Sequence, residues 1–301
     1  MRYGQGVALV LAAGSLWSLM GLGLRQIEDA SVWAILFWRS LGMVPVLWLF
    51  IHVTSDGRPI AAIRSVGIAG AVGGFGLVFA FAGAIYAIQT TTIANAVFLF
   101  TASPFVAAIF GWILLGERVK PWTWAAIGLA VFGMYLMVRE GLAMGALAGN
   151  IAALLSAVGF GAFSVALRWG KVKQMLPVSM LGGVFSAGVA AGVLAAQGAP
   201  IVVSGWDIGI SMSIGALIVA LGMVMYTLGS RVIPAAELTL LSLIEVLLAP
   251  MWVFVVLGET ASPATFVGGG VLLAAVALNA VMGARSQMAE GVANRARPVN
   301  E

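Results

Sequence analysis

Two ionisable residues, Arg39 and Glu245, stand deep inside long apolar stretches of the sequence. A charge at the centre of a bilayer costs about 2.5–3.5 kcal/mol on insertion scales, so it faces the interior of a helix bundle. At a helical rise of 1.5 Å per residue, the two would lie at depths that differ by about 6 Å. We therefore expect Arg39 and Glu245 to pair, or to face one polar cavity where they bind a zwitterionic or cationic solute or carry a proton. The alternative is a structural pair that fixes helix packing.

A polar stripe extends from Glu245 toward the start of the same apolar stretch. Glu237, Leu241 and Glu245 recur every four residues, which places them on one face of a helix. An equivalent stripe begins at Asn95, 142 positions before Glu237. The two stripes could line a shared central cavity, or they could form ordinary hydrogen bonds between helices.

Further candidates are aromatic residues at helical spacing, whose rings could stack on a solute or attract a cation, or could simply contact lipid. Pro104 could kink its helix and free a carbonyl group. Glu117 and Glu259 each follow Leu-Gly and are expected at helix ends. The expected substrate-binding residues are Trp17, Arg39, Phe79, Tyr86, Asn95, Phe98, Phe160, Ser164, Ser242 and Glu245, and the expected gating or structural residues are Pro104, Glu117, Glu237 and Glu259.

Composition excludes most other chemistry. The 301 residues are 62% hydrophobic and 9% charged, whereas soluble domains are about 25% charged. The chain has no Cys and one His, which excludes thiol catalysis and Cys/His metal sites. We therefore predict no catalytic residues, no metal and no cofactor, with proton coupling as the one possible addition. A membrane-embedded enzyme is the alternative of another class, and it would have to rely on Ser and Glu.

Ten apolar stretches are long enough to cross a bilayer as helices. They are continuous, whereas the strands of membrane barrels alternate in polarity over about ten residues. The predicted fold is an all-α polytopic membrane protein. Its ten predicted spans are Gly6–Leu24, Ser31–Ile51, Ile63–Ile88, Ile93–Leu115, Trp122–Val138, Ala146–Leu167, Val178–Ala196, Ile208–Leu228, Ala235–Leu257 and Ala264–Met282.

The basic residues indicate the orientation of the spans, because cytoplasmic loops are enriched in Lys and Arg. With the amino terminus in the cytoplasm, Arg25 and Arg139 fall outside, Arg39 falls within a span, and the other basic residues of the 15 fall inside. Both termini are therefore expected in the cytoplasm. The basic excess is a topology signal, so no nucleic-acid partner is expected. The expected partners are the lipid bilayer and a small-molecule substrate, and the chain is expected to be a monomer or a homodimer.

The two halves of the sequence resemble each other. Leu114-Leu115-Gly116-Glu117 recurs as Val256-Leu257-Gly258-Glu259, and the stretch from Gly6 to Arg25 matches the stretch from Gly149 to Arg168. Because five spans is an odd number, the second copy would be inserted upside down. Inverted repeats are the architecture of alternating-access carriers. The predicted domains are a five-helix repeat over 1–142, a second, inverted five-helix repeat over 143–284, and a polar cytoplasmic tail over 285–301.

Several of these motifs resemble the EamA-type family of the drug/metabolite transporter superfamily. They include Ala94-Asn95-Ala96, Leu115-Gly116-Glu117 and, in the second half, Leu257-Gly258-Glu259. The family often has Glu-Pro in its ninth span, whereas Glu245 here is followed by Val246, with Pro250 further on. The resemblance implies ten helices in two inverted repeats that move small organic metabolites.

The sequence thus favours a secondary transporter that exports small amphipathic metabolites, such as amino acids, across the inner (plasma) membrane of a bacterium. Its mechanism would be alternating access around a midplane cavity, and it is not expected to be an enzyme. The alternative within transport is the uptake of a quaternary amine or a vitamin, which the acidic and aromatic residues would suit.

Overall fold

A computed structural model describes residues 2–143, 146–172 and 174–295 of the chain. Every regular element within these ranges is helical, and ten of the helices are long and apolar enough to cross a membrane. This confirms the predicted all-helical membrane architecture, with span boundaries that differ from the predicted ones by a few residues. The ten spans, in order, are Tyr3–Leu24, Val32–Thr54, Gly67–Thr90, Ile93–Leu115, Pro121–Arg139, Leu147–Trp169, Met175–Gln197, Gly205–Gly229, Glu237–Leu257 and Pro263–Ser286.

Some helices extend beyond their spans, and one short helix lies between spans. The fifth helix continues to Ala143, the ninth begins at Ala235, and the tenth continues to Arg295. The helix Pro59–Ser65 lies between the second and third spans. A proline early in its first turn suits this short helix, because the first turn needs no donor from that residue.

Three spans are interrupted. The first consists of Tyr3–Ser18 and Met20–Leu24, and the fourth of Ile93–Phe100 and Ser103–Leu115. The eighth consists of Gly205–Ser213, a π-helical segment Ile214–Ala220, and Leu221–Gly229. The ninth span, in contrast, stays continuous through Pro250.

The contacts between spans are related by an exchange of the two halves of the chain. The first span packs against the eighth and ninth, and the sixth packs against the third and fourth. The second span packs against the eighth, and the seventh packs against the third. If each span is replaced by its counterpart in the other half (one by six, two by seven, and so on), each of these contacts becomes another contact of the same set. The contacts between the second and seventh, fourth and ninth, and fifth and tenth spans each become themselves.

The bundle has two ends, which we name by their glutamates. The Glu259 face contains the ends of the first, third and ninth spans and the starts of the second, fourth and eighth. There, buried Asp207 accepts hydrogen bonds from the backbone N–H groups of residues 28, 29 and 30, at 3.2, 3.2 and 3.0 Å. The Glu117 face contains the opposite ends of these spans. Asp207 thereby ties the start of the eighth span to the turn before the second.

Candidate functional site

Glu245 borders a cavity of about 50 Å³ whose walls come from the first, third, fourth, sixth and ninth spans. We call it the central cavity. Met20, Ala84 and Phe100 are typical of its apolar lining, and its one neutral polar residue, Ser156, donates its hydroxyl to the Ala80 carbonyl at 2.6 Å. Glu245 is the only charged lining residue that the structure describes, and it makes no hydrogen bond or ion pair within the described ranges. An unpaired carboxylate in an apolar cavity favours a cationic partner.

Arg39 lies in the second span with 2% of its surface exposed. The central carbon of its guanidinium lies 4.3 Å from the centroid of the Phe81 ring. Its Nε and Nη2 have no hydrogen-bond partner in the described part of the chain. The structure therefore does not bring Arg39 and Glu245 together as a pair, and a role for both at one cavity stays a prediction.

A network on the Glu259 face joins three parts of the chain, and we call it the Glu259 clasp. Arg25 lies 3.0 Å (Nη2 to Oε2) from Glu259 and also donates from Nη2 to the Thr91 carbonyl at 2.8 Å. The second oxygen of Glu259 accepts the backbone N–H of Ile93 at 2.9 Å, which satisfies a free donor at the start of the fourth span. The clasp therefore links the ends of the first and ninth spans to the turn between the third and fourth.

A second ion pair, the Glu117 clasp, lies on the opposite face. Arg168 at the end of the sixth span lies 2.9 Å (Nη1 to Oε2) from Glu117 at the end of the fourth, and it donates from Nη2 to the Ala107 carbonyl at 2.7 Å. The internal repeat matches Arg25 with Arg168 and Glu117 with Glu259. Each clasp therefore joins one arginine and one glutamate from opposite halves of the chain.

The fourth span is buried more completely toward the Glu259 face than toward the Glu117 face. Its residues 93–96 are buried, whereas residues 106–110 are half-buried. The ninth span shows no such difference. Its residues 237–245 are half-buried, and toward the Glu259 face three buried residues (Val246, Ala249 and Val253) alternate with exposed ones, including residues 254–257.

Comparisons with known proteins agree with the helical fold of ten spans described above. Residues 4–139 match the model of the EamA-like transporter family. This region belongs to that family. The match confirms the family resemblance for this part of the chain and suggests a multi-pass membrane transporter of the drug/metabolite type. A transporter family is consistent with a role other than catalysis.

The likeness to solved structures extends over both halves. One solved structure, described only as "Crystal structure of protein", aligns with 93% of this chain and 99% of its own, with a TM-score of 0.64 and 18% sequence identity. At this identity the two proteins share a fold. No curated protein matches the chain.

The aromatic residues that were expected to bind substrate lie in different surroundings. Phe160 contacts Phe100 of the central cavity, with ring centroids 5.5 Å apart, so it lies just behind the cavity wall. Trp17 packs on Gly222 of the eighth span and lies 5.5 Å from the ring of Tyr226. Phe98 is buried against Gly269 of the tenth span rather than among the residues that line the central cavity. Phe79 and Tyr86 are 53% and 40% exposed and are likewise not among those lining residues.

The polar candidates are bonded locally or across spans. The hydroxyls of Ser164 and Ser242 donate to carbonyls one turn earlier in their own helices, at 2.9 and 2.8 Å. Asn95 donates to the side chains of Thr91 and Asn150 and borders a separate cavity of about 330 Å³ at the Glu259 face. The binding roles of these residues stay predictions.

Glu237 and Asn95 occupy equivalent positions in the two halves and make equivalent contacts. Glu237, at the start of the ninth span, accepts a hydrogen bond from Tyr3 at the start of the first. Asn95, near the start of the fourth span, contacts Asn150 near the start of the sixth. Glu237 thus connects two spans at the Glu117 face, and its gating or structural role stays a prediction.

Pro104 lies at a real break in the fourth span. The helix ends at Phe100, a new helix begins at Ser103, and Pro104 occupies its first turn. The Thr101 hydroxyl donates to the Phe98 carbonyl at 2.6 Å, so this carbonyl is already bonded. Phe100, at the break, lines the central cavity.

Four residues outside the predicted set prove central to this geometry. Arg25 and Arg168 complete the clasps, Asn150 bonds Asn95, and Phe81 supports Arg39. The sequence contained a signal for the two arginines, because the repeat aligns one with the other. No comparable sequence signal marks Asn150 or Phe81, because the equivalent positions in the other half hold different residue types.

Proposed function

We propose that the protein is an alternating-access carrier that exports small amphipathic metabolites carrying an amine, such as amino acids. The observation that carries this proposal is the position of Glu245. Its carboxylate is the one charge in a cavity walled by spans of both halves, within the described residues. A carboxylate there attracts the amine of a solute, while the apolar walls accommodate the carbon skeleton.

The exchange of contacts between the two halves supports the alternating mechanism. Two inverted copies whose contacts with each other are related by this exchange could adopt each other's conformation, which would open the cavity to one face and then to the other. The clasps fit this scheme because they occupy repeat-related positions at opposite faces. We infer that the Glu259 clasp closes the outer face, and that the Glu117 clasp is its counterpart at the inner face.

The distribution of basic residues supports the direction of the proposal. If most of them face the cytoplasm, the Glu117 face and both termini are cytoplasmic. The less buried half of the fourth span then lies toward the side from which an exporter receives its solute. A bacterial inner membrane is the location that this orientation suits.

The isolation of Glu245 also favours a second candidate, in which the cation is a proton or a quaternary amine. A proton neutralises a carboxylate in apolar surroundings and occupies less volume there than any other cation. Proton coupling would let the same residue drive export. A quaternary amine would fill the cavity as cargo and would suit an uptake carrier.

Reconstitution in liposomes tests the proposal. We expect L-leucine flux to saturate with concentration, because a carrier has a finite number of sites, whereas channel flux rises without saturation. We expect Glu245→Gln to lower kcat/KM for flux by about tenfold or more, since a charged hydrogen bond to the amine is lost. Glu28→Gln is the matched control, because Glu28 is exposed in a turn at the Glu259 face.

Normal flux with an unchanged pH profile in Glu245→Gln would contradict a role for this carboxylate. Saturable flux of choline without flux of L-leucine would instead favour the quaternary amine. Flux of L-leucine that follows an imposed pH gradient in the unmodified protein, and loses that dependence in Glu245→Gln, would assign the proton to the same residue.

A further inference from the structure

The guanidinium of Arg39 is a buried cation without a counterion. Nε and Nη2 are enclosed and unbonded within the described residues, although arginine keeps its charge in proteins. The one recorded contact of its charged end is the ring of Phe81. A ring face attracts a cation but supplies no acceptor in the plane of the guanidinium, where its N–H groups point.

The acidic residues of the bundle are already committed elsewhere. Glu117 and Glu259 belong to the two clasps, Asp207 accepts three backbone N–H groups, and Glu237 binds Tyr3. Glu245 faces the central cavity and does not contact Arg39. The described part of the protein therefore supplies no anion to Arg39.

Arg39 lies directly behind the wall of the central cavity. Phe81, on which it stacks, lies three residues before Ala84 and seven before Ile88, so the three share one face of the third span. Ala84 and Ile88 line the cavity that Glu245 borders. Phe81 therefore connects Arg39 to the helix face that forms one wall of this cavity, and contact between the guanidinium and a solute there would require the Phe81 ring to move.

The eighth span departs from regular geometry beside Arg39. Its π-helical segment Ile214–Ala220 begins where Gly215 packs against the Arg39 backbone, so closely that an added Cβ would overlap the Arg39 carbonyl oxygen. Short π-helical segments are frequent at functional sites. The third span, which is the counterpart of the eighth, is a continuous α-helix over Gly67–Thr90.

The buried arginine is likewise not repeated. The positions 142 and 143 residues after Arg39 hold Leu181 and Gly182, which carry no charge. Both the arginine and the π-helical segment thus break the near-symmetry of the bundle at one place. Features that serve the conformational exchange should occur twice, whereas a feature that recognises an asymmetric solute needs to occur only once.

We propose that Arg39 is the anion-binding residue of the central cavity, where it receives the carboxylate of a solute whose amine faces Glu245. This deepens the proposed function and rests on it. It narrows the cargo from amphipathic amines to zwitterions with both an amine and a carboxylate. A guanidinium matches a carboxylate in two parallel hydrogen bonds, which an uncharged group does not reproduce.

A matched pair of probes tests the proposal on the unmodified protein. L-leucine and isoamylamine share the same carbon skeleton and amine, and only L-leucine has the carboxylate. We expect the purified protein in nanodiscs to bind L-leucine at least about tenfold more tightly than isoamylamine, because one charge-assisted interaction is lost with the amine alone. Isothermal titration gives both affinities.

Variants then assign the difference to Arg39. Arg39→Gln should reduce the preference for L-leucine to less than about threefold, and Arg39→Lys should retain part of it, because the charge remains while the paired geometry is lost. Arg64→Gln, an exposed arginine on the short helix Pro59–Ser65, is the matched control and should keep the full preference. Glu245→Gln should weaken both probes together.

The outcomes separate this proposal from the one on which it rests. Equal affinity for the two probes in the unmodified protein would overturn the role of Arg39 and leave an amine carrier. An undiminished preference in folded Arg39→Gln or Arg39→Lys would overturn it as well. If neither probe binds, the amino-acid cargo itself is wrong. If Glu245→Gln changes the affinity for neither probe, Glu245 does not bind the amine. The preference for L-leucine over isoamylamine would then still measure the role of Arg39.

Discussion

At the scale of single residues, the polar groups of this protein differ in how completely they are satisfied. Asn150 is fully buried and accepts hydrogen bonds from Thr91 and Asn95, while its own Nδ2 has no partner among the described residues. Asn279 is half-buried and accepts the Thr123 hydroxyl at 2.8 Å. Both are amides that join two spans, so they offer a matched comparison of burial.

We expect Asn150→Ala to lower the free energy of unfolding by about 1–3 kcal/mol, because Asn95 and Thr91 are left buried without their acceptor. Asn279→Ala should cost less, about 0.6 kcal/mol, as is typical of hydrogen bonds between membrane helices. Unfolding in mixed micelles measures both values. Equal losses of unfolding free energy in the two variants would show that burial does not strengthen the hydrogen bonds of Asn150.

Residue types alone predict part of the candidate site. Glu245 could be found because a carboxylate within an apolar stretch stands out, and the structure places it at the border of the central cavity, while its binding role stays a prediction. Phe98 was also expected to line a cavity, but it packs on Gly269, because the fourth span presents a different side to the tenth span than to the bundle centre. Which side a span turns inward depends on its neighbours, and one sequence does not contain that information.

At the scale of elements, the eighth span is the most unusual. Its π-helical segment lies where it approaches the second span through Gly215 and Gly42, without room for a side chain at either position. A π-helical turn contains an extra residue, which shifts the neighbouring turns around the helix axis. The segment thus allows the backbones of two spans to meet beside Arg39.

We expect Gly215→Ala to reduce stability strongly, because the new methyl group would overlap the Arg39 carbonyl oxygen and the two spans would have to separate. Gly209→Ala is the matched control in the same span, since no atom lies within 4 Å of a Cβ added there. The thermal midpoint of monodisperse protein in detergent measures both. A midpoint for Gly215→Ala close to that of Gly209→Ala would contradict the close approach.

The sequence predicts the existence of these elements better than their interruptions. All ten spans agree with prediction because hydropathy over about 20 residues is a property of each segment alone. The break near Pro104 was foreseeable from the proline, although Pro250 in the ninth span causes no comparable break. The break after Ser18 and the π-helical segment have no marker in the sequence, because packing against other spans decides them.

At the scale of the whole molecule, the two clasps lie at opposite faces of the bundle, where we propose that each closes one face. The side chains of the Glu259 clasp are 26% and 23% exposed, and those of the Glu117 clasp are 44% and 38% exposed. Solvent weakens an ion pair, so the Glu259 clasp is the stronger closure. This agrees with the tighter burial of the fourth span toward that face. The balance between the two clasps should therefore decide which face is open.

This balance can be measured because the natural chain contains no cysteine. Ala84→Cys introduces a single thiol in the wall of the central cavity, at a half-buried position. A membrane-impermeant maleimide added to one side of oriented vesicles then reports access from that side. In the otherwise unmodified protein we expect faster labelling from the Glu117 face.

Adding Arg25→Gln to this thiol variant should raise the rate of labelling from the Glu259 face by about fivefold, which corresponds to the loss of about 1 kcal/mol from a partly buried ion pair. Adding Arg168→Gln should act in the opposite direction and by a smaller factor, because the Glu117 clasp is more exposed. Opposite changes in labelling rate on substitution of these two repeat-related arginines would show that each clasp closes one face of the bundle. If both substitutions raise labelling from both faces equally, the clasps only hold the bundle together, and the exchange between its two halves must be controlled elsewhere.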